Sequence, residues 1–152
     1  MYNIELNNVK FENAQTEVLR AVENLCDTFH IEHHLGTISY ALFELIDLMQ
    51  QNPMNHYGDF SINFYVDNDQ VNVQITDYNN FNQIEDLLTH ASINDADTRA
   101  FTVLSLTDRI EFRNQGKEMW IEIAASPLID AIDRAELLMK KQIKTAHVDC
   151  NR

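Results

Sequence analysis

The sequence predicts an α+β chain, a two-layer α/β sandwich in which a mostly antiparallel mixed sheet carries its helices on one face. Three observations predict it. Two pairs of short segments alternate apolar and polar residues; longer segments between them repeat apolar residues every three or four positions; and the polar positions of the alternating segments fall on one side. One sheet face therefore meets water while the other needs a helical cover. At 152 residues the chain has the size of one domain, and 45% hydrophobic with 23% charged residues excludes a disordered or low-complexity class. Glycine is scarce: three residues stand where average usage of about 7% gives roughly ten. That scarcity weighs against any phosphate-cradling loop.

Taken in order, Tyr2, Ile4 and Leu6 alternate with Asn3, Glu5 and Asn7, which opens the chain with a half-buried strand. From Asn13, a candidate cap, to Phe29 the residues Ala14, Val18, Leu19, Val22, Leu25, Cys26 and Phe29 mark one face of a helix. After a His-rich joint, Leu35, Ile38, Leu42, Leu45, Ile46 and Met49 repeat that pattern until Asn52-Pro53 stops it. Phe60, Ile62, Phe64 and Val66 then pair with Val71, Val73 and Ile75 as a hairpin about Asp67-Asn68-Asp69-Gln70. A short helix at Ile84 to Leu88 and another at Thr98 to Leu106 lead to a second hairpin, Arg109 to Arg113 and Glu118 to Ala124, turned at Asn114-Gln115-Gly116-Lys117. Ser126 and Pro127 open a last amphipathic helix that ends in Lys140, Lys141 and Lys144. The expected organisation is residues 1–126 as the domain, 127–144 as an additional helix and 145–152 as a tail.

Eleven Lys and Arg against 24 Asp and Glu give a net charge of −13, which repels phosphate backbones and anionic membranes. The expected partner is a protein with a basic surface, with no nucleic acid and no membrane, and a homodimer is open through the leading strand as an exposed edge. The first residues carry no basic, apolar-cored leader, and the most apolar stretch, Tyr40 to Met49, is interrupted by Glu44 and Asp47. A cytoplasmic protein is expected. Cys26 at an apolar helical position and Cys150 in a polar stretch make neither a disulfide framework nor a metal spacing.

The element order, with a Glu on the second helix and a hairpin ending in Asp, resembles the histidine-kinase-like ATPase fold of gyrase B, heat-shock chaperones and sensor kinases. Within it the chain is most similar to the bacterial anti-sigma-factor serine-kinase branch, over residues 2–125. The family's Glu-x-x-x-Asn reads here as Glu44-Leu45-Ile46-Asp47-Leu48. The resemblance makes Glu44 the general base, while Leu48 offers no oxygen to a magnesium ion that demands oxygen ligands. The family's Asp-x-Gly-x-Gly reads Asp77-Tyr78-Asn79-Asn80-Phe81, so Asp77 matches the adenine-reading carboxylate and Asn79 and Phe81 replace both glycines. The Gly-x-Gly turn that supplies N–H groups to the phosphates reads Thr98-Arg99-Ala100, where Arg99 alone favours a phosphate and Asp95 and Asp97 oppose it.

The resemblance with these losses implies a non-catalytic regulatory module of anti-sigma type, with a degenerate ATP site and no cofactor. Two alternatives remain. One is a divergent ATP-dependent serine/threonine kinase using Glu44 as base, with Asp77, Asn79 and Arg99 on the nucleotide and ATP with magnesium as cofactor. The other is a small-ligand sensor in the remodelled pocket. Candidate partner contacts are Tyr78 and Phe81 at the old pocket mouth and Ile132 and Met139 on the last helix. No metal site is expected: His30, His33 and His34 with Glu32 are adjacent residues pointing apart, and Asp67-Asn68-Asp69 lacks the Gly and distal Glu of a calcium loop.

Overall fold

Two-residue alternation brings five strands into register. In the computed structural model, which describes residues 2–51, 59–67, 70–78 and 81–124, the elements are β1 (Tyr2–Lys10), α1 (Phe11–Phe29), α2 (Leu35–Gln50), β2 (Asp59–Asp67), β3 (Gln70–Thr76), α3 (Asn82–Thr89), α4 (Arg99–Leu106), β4 (Arg109–Arg113) and β5 (Glu118–Ala124). The strand order is β1-β2-β3-β5-β4, and every pair among these strands is antiparallel. The fold is the expected two-layer α+β sandwich. Asn68 and Asp69 of the expected first turn, and the expected helix at 127–144 with Ile132 and Met139, lie outside the described residues.

The register places apolar residues in rows that cross the whole sheet. Ile4, Phe64, Val73, Ile121 and Ile110 form one row, and Leu6, Ile62, Ile75, Met119 and Phe112 form the next. Because side chains alternate between faces, both rows point the same way and present a continuous apolar surface. Helix α1 covers it with Ala14, Val18, Ala21, Val22, Leu25 and Cys26, and α2 with Ile38, Leu42, Leu45, Ile46 and Met49, all buried. Helix α4 packs on α2, and α3 on α4.

Helix α1 begins at Phe11, not at Asn13 as the capping pattern predicts. The strand carries further than its alternation suggests because Asn8, at φ 56°, makes a bulge between Leu6 and Val9 that turns Val9 into the core. Phe11 then packs its ring on Phe60 at 5.1 Å, which sets the direction of the helix without a side-chain cap. At the other end His30 takes the left-handed conformation, φ 58°, with its N–H bonded to the Cys26 carbonyl. A 3-10 turn, Glu32–His34, completes the His-rich joint to α2. No helix among the described residues is long and apolar enough to cross a membrane.

The opposite sheet face is polar but covers itself. Gln74 Oε1 accepts from Asn63 Nδ2 at 3.3 Å and from the Tyr65 hydroxyl at 3.2 Å, and Glu118 Oε1 accepts from Trp120 Nε1 at 3.1 Å. The Tyr65 and Trp120 rings stack with 12° between their planes, and the Arg113 guanidinium lies 4.3 Å from the Trp120 centroid.

Burial pushes the Cys26 thiol up to about 11 from its ordinary 9.0, with Glu32 adding to the effect. The nucleophile is the thiolate, and the shift leaves about a hundredfold less of it at neutral pH, while the burial of Cys26 at 1% exposure also denies a reagent access. In a Cys150→Ser background, Cys26 should react with a maleimide at pH 8 at least ~100-fold more slowly than in the chain unfolded in urea. Comparable rates in the two states would contradict the buried placement.

Candidate functional site

Turning the apolar residues of α2 toward the sheet leaves Tyr40, Glu44, Asp47 and Gln51 on its outer side. Spacing of three and four residues aligns them in one stripe. Glu44 is half-buried and hydrogen-bonds the Tyr40 hydroxyl one turn before it, which raises the phenol above its ordinary range, first through that bond and then through the charge. Leu48 is buried at 5% exposure beside this stripe.

Arg99, the first residue of α4, reaches across to α2. Its Nη2 donates to Gln51 Oε1 at 2.6 Å, and its Nε donates to both Asp97 carboxylate oxygens, at 2.9 and 3.1 Å. Nη2 also pairs with Asp97. The Arg99 backbone N–H donates to Asp97 Oδ1 at 3.1 Å, so Asp97 holds both the side chain and the start of the helix. These bonds pull the Asp97 carboxyl down to about 2 from 3.8. The Arg99 guanidinium is held above its ordinary value by Asp97 first and by Asp47 and Glu44 after it. The structure thus brings Glu44 and Arg99 into one electrostatic group, with Asp97 already on the guanidinium.

Asp77 sits elsewhere. It follows β3 in the left-handed conformation, φ 63°, and its exposed carboxylate accepts from Ser61 Oγ at 2.7 Å. With Thr76, Tyr78, Asn114, Gln115, Lys117 and Glu118 it lines an open cleft of about 570 Å³ against the β4–β5 turn, Tyr78 by the small edge it leaves exposed. Asn114 and Gln115 are also left-handed, at φ 53° and 59°, and Gly116 completes the turn at 83°. Asn79 lies outside the described residues. None of the described residues lining the Asp77 cleft also lines the depressions about Leu48 and Arg99.

Tyr78 and Phe81 are placed differently from the expectation. Phe81 is 0% and Tyr78 3% exposed, so neither ring presents itself to a partner at the surface. The reason is packing. The Tyr78 hydroxyl donates to the Met49 carbonyl at the end of α2, at 2.7 Å, and its ring meets Phe81 at 4.7 Å and Phe11 at 6.5 Å. Phe81 reaches Phe112 at 6.1 Å, and its N–H donates to the Gly116 carbonyl at 2.9 Å. This aromatic group ties the end of β3 to α2, β4 and the β4–β5 turn.

The joint histidines do not all point apart: His34 is buried and His30 and His33 are exposed, but the His33 and His34 rings lie against each other at 4.3 Å. Among the described residues no three His, Cys, Asp or Glu side chains are grouped to hold a metal ion. Three roles escaped the sequence reading, which has Asp97 only opposing a phosphate. Gln51 and Asp97 fix Arg99, and Leu87 on α3 is exposed at 47% beside Leu48. The Asp97-x-Arg99 spacing at a helix start was a readable signal for the first pair; Leu87 had none. Compared with known protein families and with curated proteins, the chain matches none.

A folded pKa below the ordinary value adds stability that is present above pH 3.8 and lost as the pH falls through about 2. Because Asp97 is 54% exposed, solvent screening keeps this contribution under about 1 kcal/mol. Asp97→Asn should therefore lower the melting temperature slightly at pH 7 and match the parent near pH 2. An equal deficit at both pH values would show that the ion pair is not its cause. Phe81→Ala should lower stability by about 3–5 kcal/mol, and Tyr78→Phe by about 1 kcal/mol, in urea unfolding. A Phe81→Ala change below 1 kcal/mol would contradict the packed placement.

Proposed function

We propose that this chain is a cytoplasmic, non-catalytic regulatory module of anti-sigma type, which acts by binding another protein through an acidic surface. The observation that carries the reading is the buried aromatic group. Phe81 and Tyr78, which stand in and beside the glycine positions of the resembling motif, fill their surroundings and bond the end of α2. A nucleotide bound along that path would need the volume those rings occupy. The Asp97 carboxylate on Arg99 and the hydrocarbon of Leu48 support the same reading, because they leave neither a phosphate contact nor a magnesium ligand at these positions. The net charge of −13 supports a basic protein partner by steering opposite charge.

The small-ligand sensor keeps one observation in its favour, the polar cleft of about 570 Å³ at Asp77, where strained backbone and Lys117 meet. The kinase alternative keeps the position of Glu44 on the outer side of α2, from which its charge acts on Arg99.

Melting in millimolar MgATP separates these readings. A ligand at about 100 times its dissociation constant adds roughly 2.7 kcal/mol to native stability. The module should melt at an unchanged temperature. A reproducible rise of several degrees that Asp77→Asn abolishes would overturn the reading in favour of a nucleotide-handling protein.

A further inference from the structure

Two adjoining depressions, of about 360 and 180 Å³, run between α2, α3 and the start of α4 and share Leu48, Leu87 and Asp97. They form one groove. Its apolar part is supplied mainly by Leu87, the one aliphatic side chain among the large exposed hydrophobics of the described residues, over a floor where the nearly buried Leu48 and Ala100 show only their edges. Helix α3 already buries Ile84 and Leu88 against the body of the protein, so Leu87 is not required there to close the core. It flanks an opening with room for one or two aliphatic side chains. The rim carries Asp86, Asp95 and Asp97. Arg99 is the only Lys or Arg among the described residues lining the groove, and Asp97 neutralises it.

We propose that this groove docks a basic amphipathic helix of a partner protein, with a Leu, Ile or Met side chain seated against Leu48 and Leu87 and flanking Lys or Arg on the acidic rim. The proposal rests on the interaction-module reading and gives it a surface in place of the buried Tyr78 and Phe81. Charge decides the partner's chemistry. An acidic helix would bring like charge onto Asp86 and Asp95, while Asp97 is already paired with Arg99, and this costs affinity and slows encounter, whereas Lys and Arg beside an aliphatic anchor satisfy floor and rim together.

The test uses calorimetric titration of the full chain with a synthetic peptide of about fifteen residues, leucines along one helical face and lysines along the other. A scrambled peptide of the same composition measures unspecific attraction to the acidic chain. The parent should bind the amphipathic peptide about tenfold more tightly than the scrambled one. Leu87→Ser should remove that preference, and Asp86→Asn with Asp95→Asn should weaken it several-fold and flatten its salt dependence. Phe29→Ser, which alters exposed apolar surface at the end of α1, should bind as the parent does. Melting curves establish that each variant is folded.

Equal affinity of Leu87→Ser and parent, or equal affinity of the two peptides for the parent, overturns the groove. So does binding that appears only after Lys140→Glu, Lys141→Glu and Lys144→Glu, which would make the chain's own basic stretch the occupant. A dimer in sedimentation that Leu87→Ser dissolves would give the groove to a second copy and also overturn the proposal. MgATP melting on the same samples keeps the two levels apart. A nucleotide-dependent rise sinks the module reading, whereas a failed peptide preference without that rise sinks the groove alone.

Discussion

The constraint on which this molecule depends is the one-sidedness of its sheet. Ten apolar side chains in two rows across five strands are drawn from water on the same face, each Å² of apolar surface covered being worth about 25 cal/mol. Among the described helices, α1 and α2, of 19 and 16 residues, are the ones long enough to cover such a surface. Once Leu42, Leu45, Ile46 and Met49 turn inward, the 3.6-residue period leaves Tyr40, Glu44, Asp47 and Gln51 facing away from the core. The position of Arg99 follows from theirs, because Gln51 is the α2 group its guanidinium can reach from the start of α4. The acidic stripe is thus a consequence of core packing, and its chemistry is added by the loop before α4.

The aromatic group at the end of β3 depends on the same constraint. With α2 fixed over the sheet, its last turn leaves the Met49 carbonyl beside the chain leaving β3, and Tyr78 supplies the hydroxyl that satisfies it. Asp77 takes the left-handed turn that aims Tyr78 inward, and Ser61 holds the carboxylate on the outside. The cleft at Asp77 and the depressions about Arg99 are accordingly lined by different described residues.

Periodicity made the fold legible. Strands and helices were readable because Phe60 to Val66, Val71 to Ile75 and the α1 and α2 stripes each keep one period over several turns or pairs. The start of α1 was not, because a bulge at Asn8 and a ring contact between Phe11 and Phe60 override the cap that Asn13 suggests. At the site, the position of Glu44 on the outer α2 stripe could be read from i, i+4 spacing, and the neutralisation of Arg99 was implicit in Asp97 two residues before it. The burial of Tyr78 and Phe81 was only half legible. Sequence shows a large ring at position 81, but whether such a ring fills a pocket or rims it depends on the distance to Phe112 and Met49, which no local pattern encodes.

Arg99 also shows why the acidic character of this surface outweighs its one cation. For an anion to use the guanidinium it must displace a carboxylate that is tethered two residues away and bonded to both Nε and the backbone N–H. A tethered group competes at an effective concentration far above that of a dissolved ligand, since its translational freedom is already lost. Displacing Asp97 would leave its carboxylate without the guanidinium that now offsets it, on a protein already strongly acidic. A cationic group on the rim meets the reverse situation: it adds to the positive side of an excess of carboxylates without breaking the Arg99–Asp97 pair. The local arrangement and the net charge of −13 therefore act in the same direction, the first by occupying the guanidinium and the second by setting the long-range field.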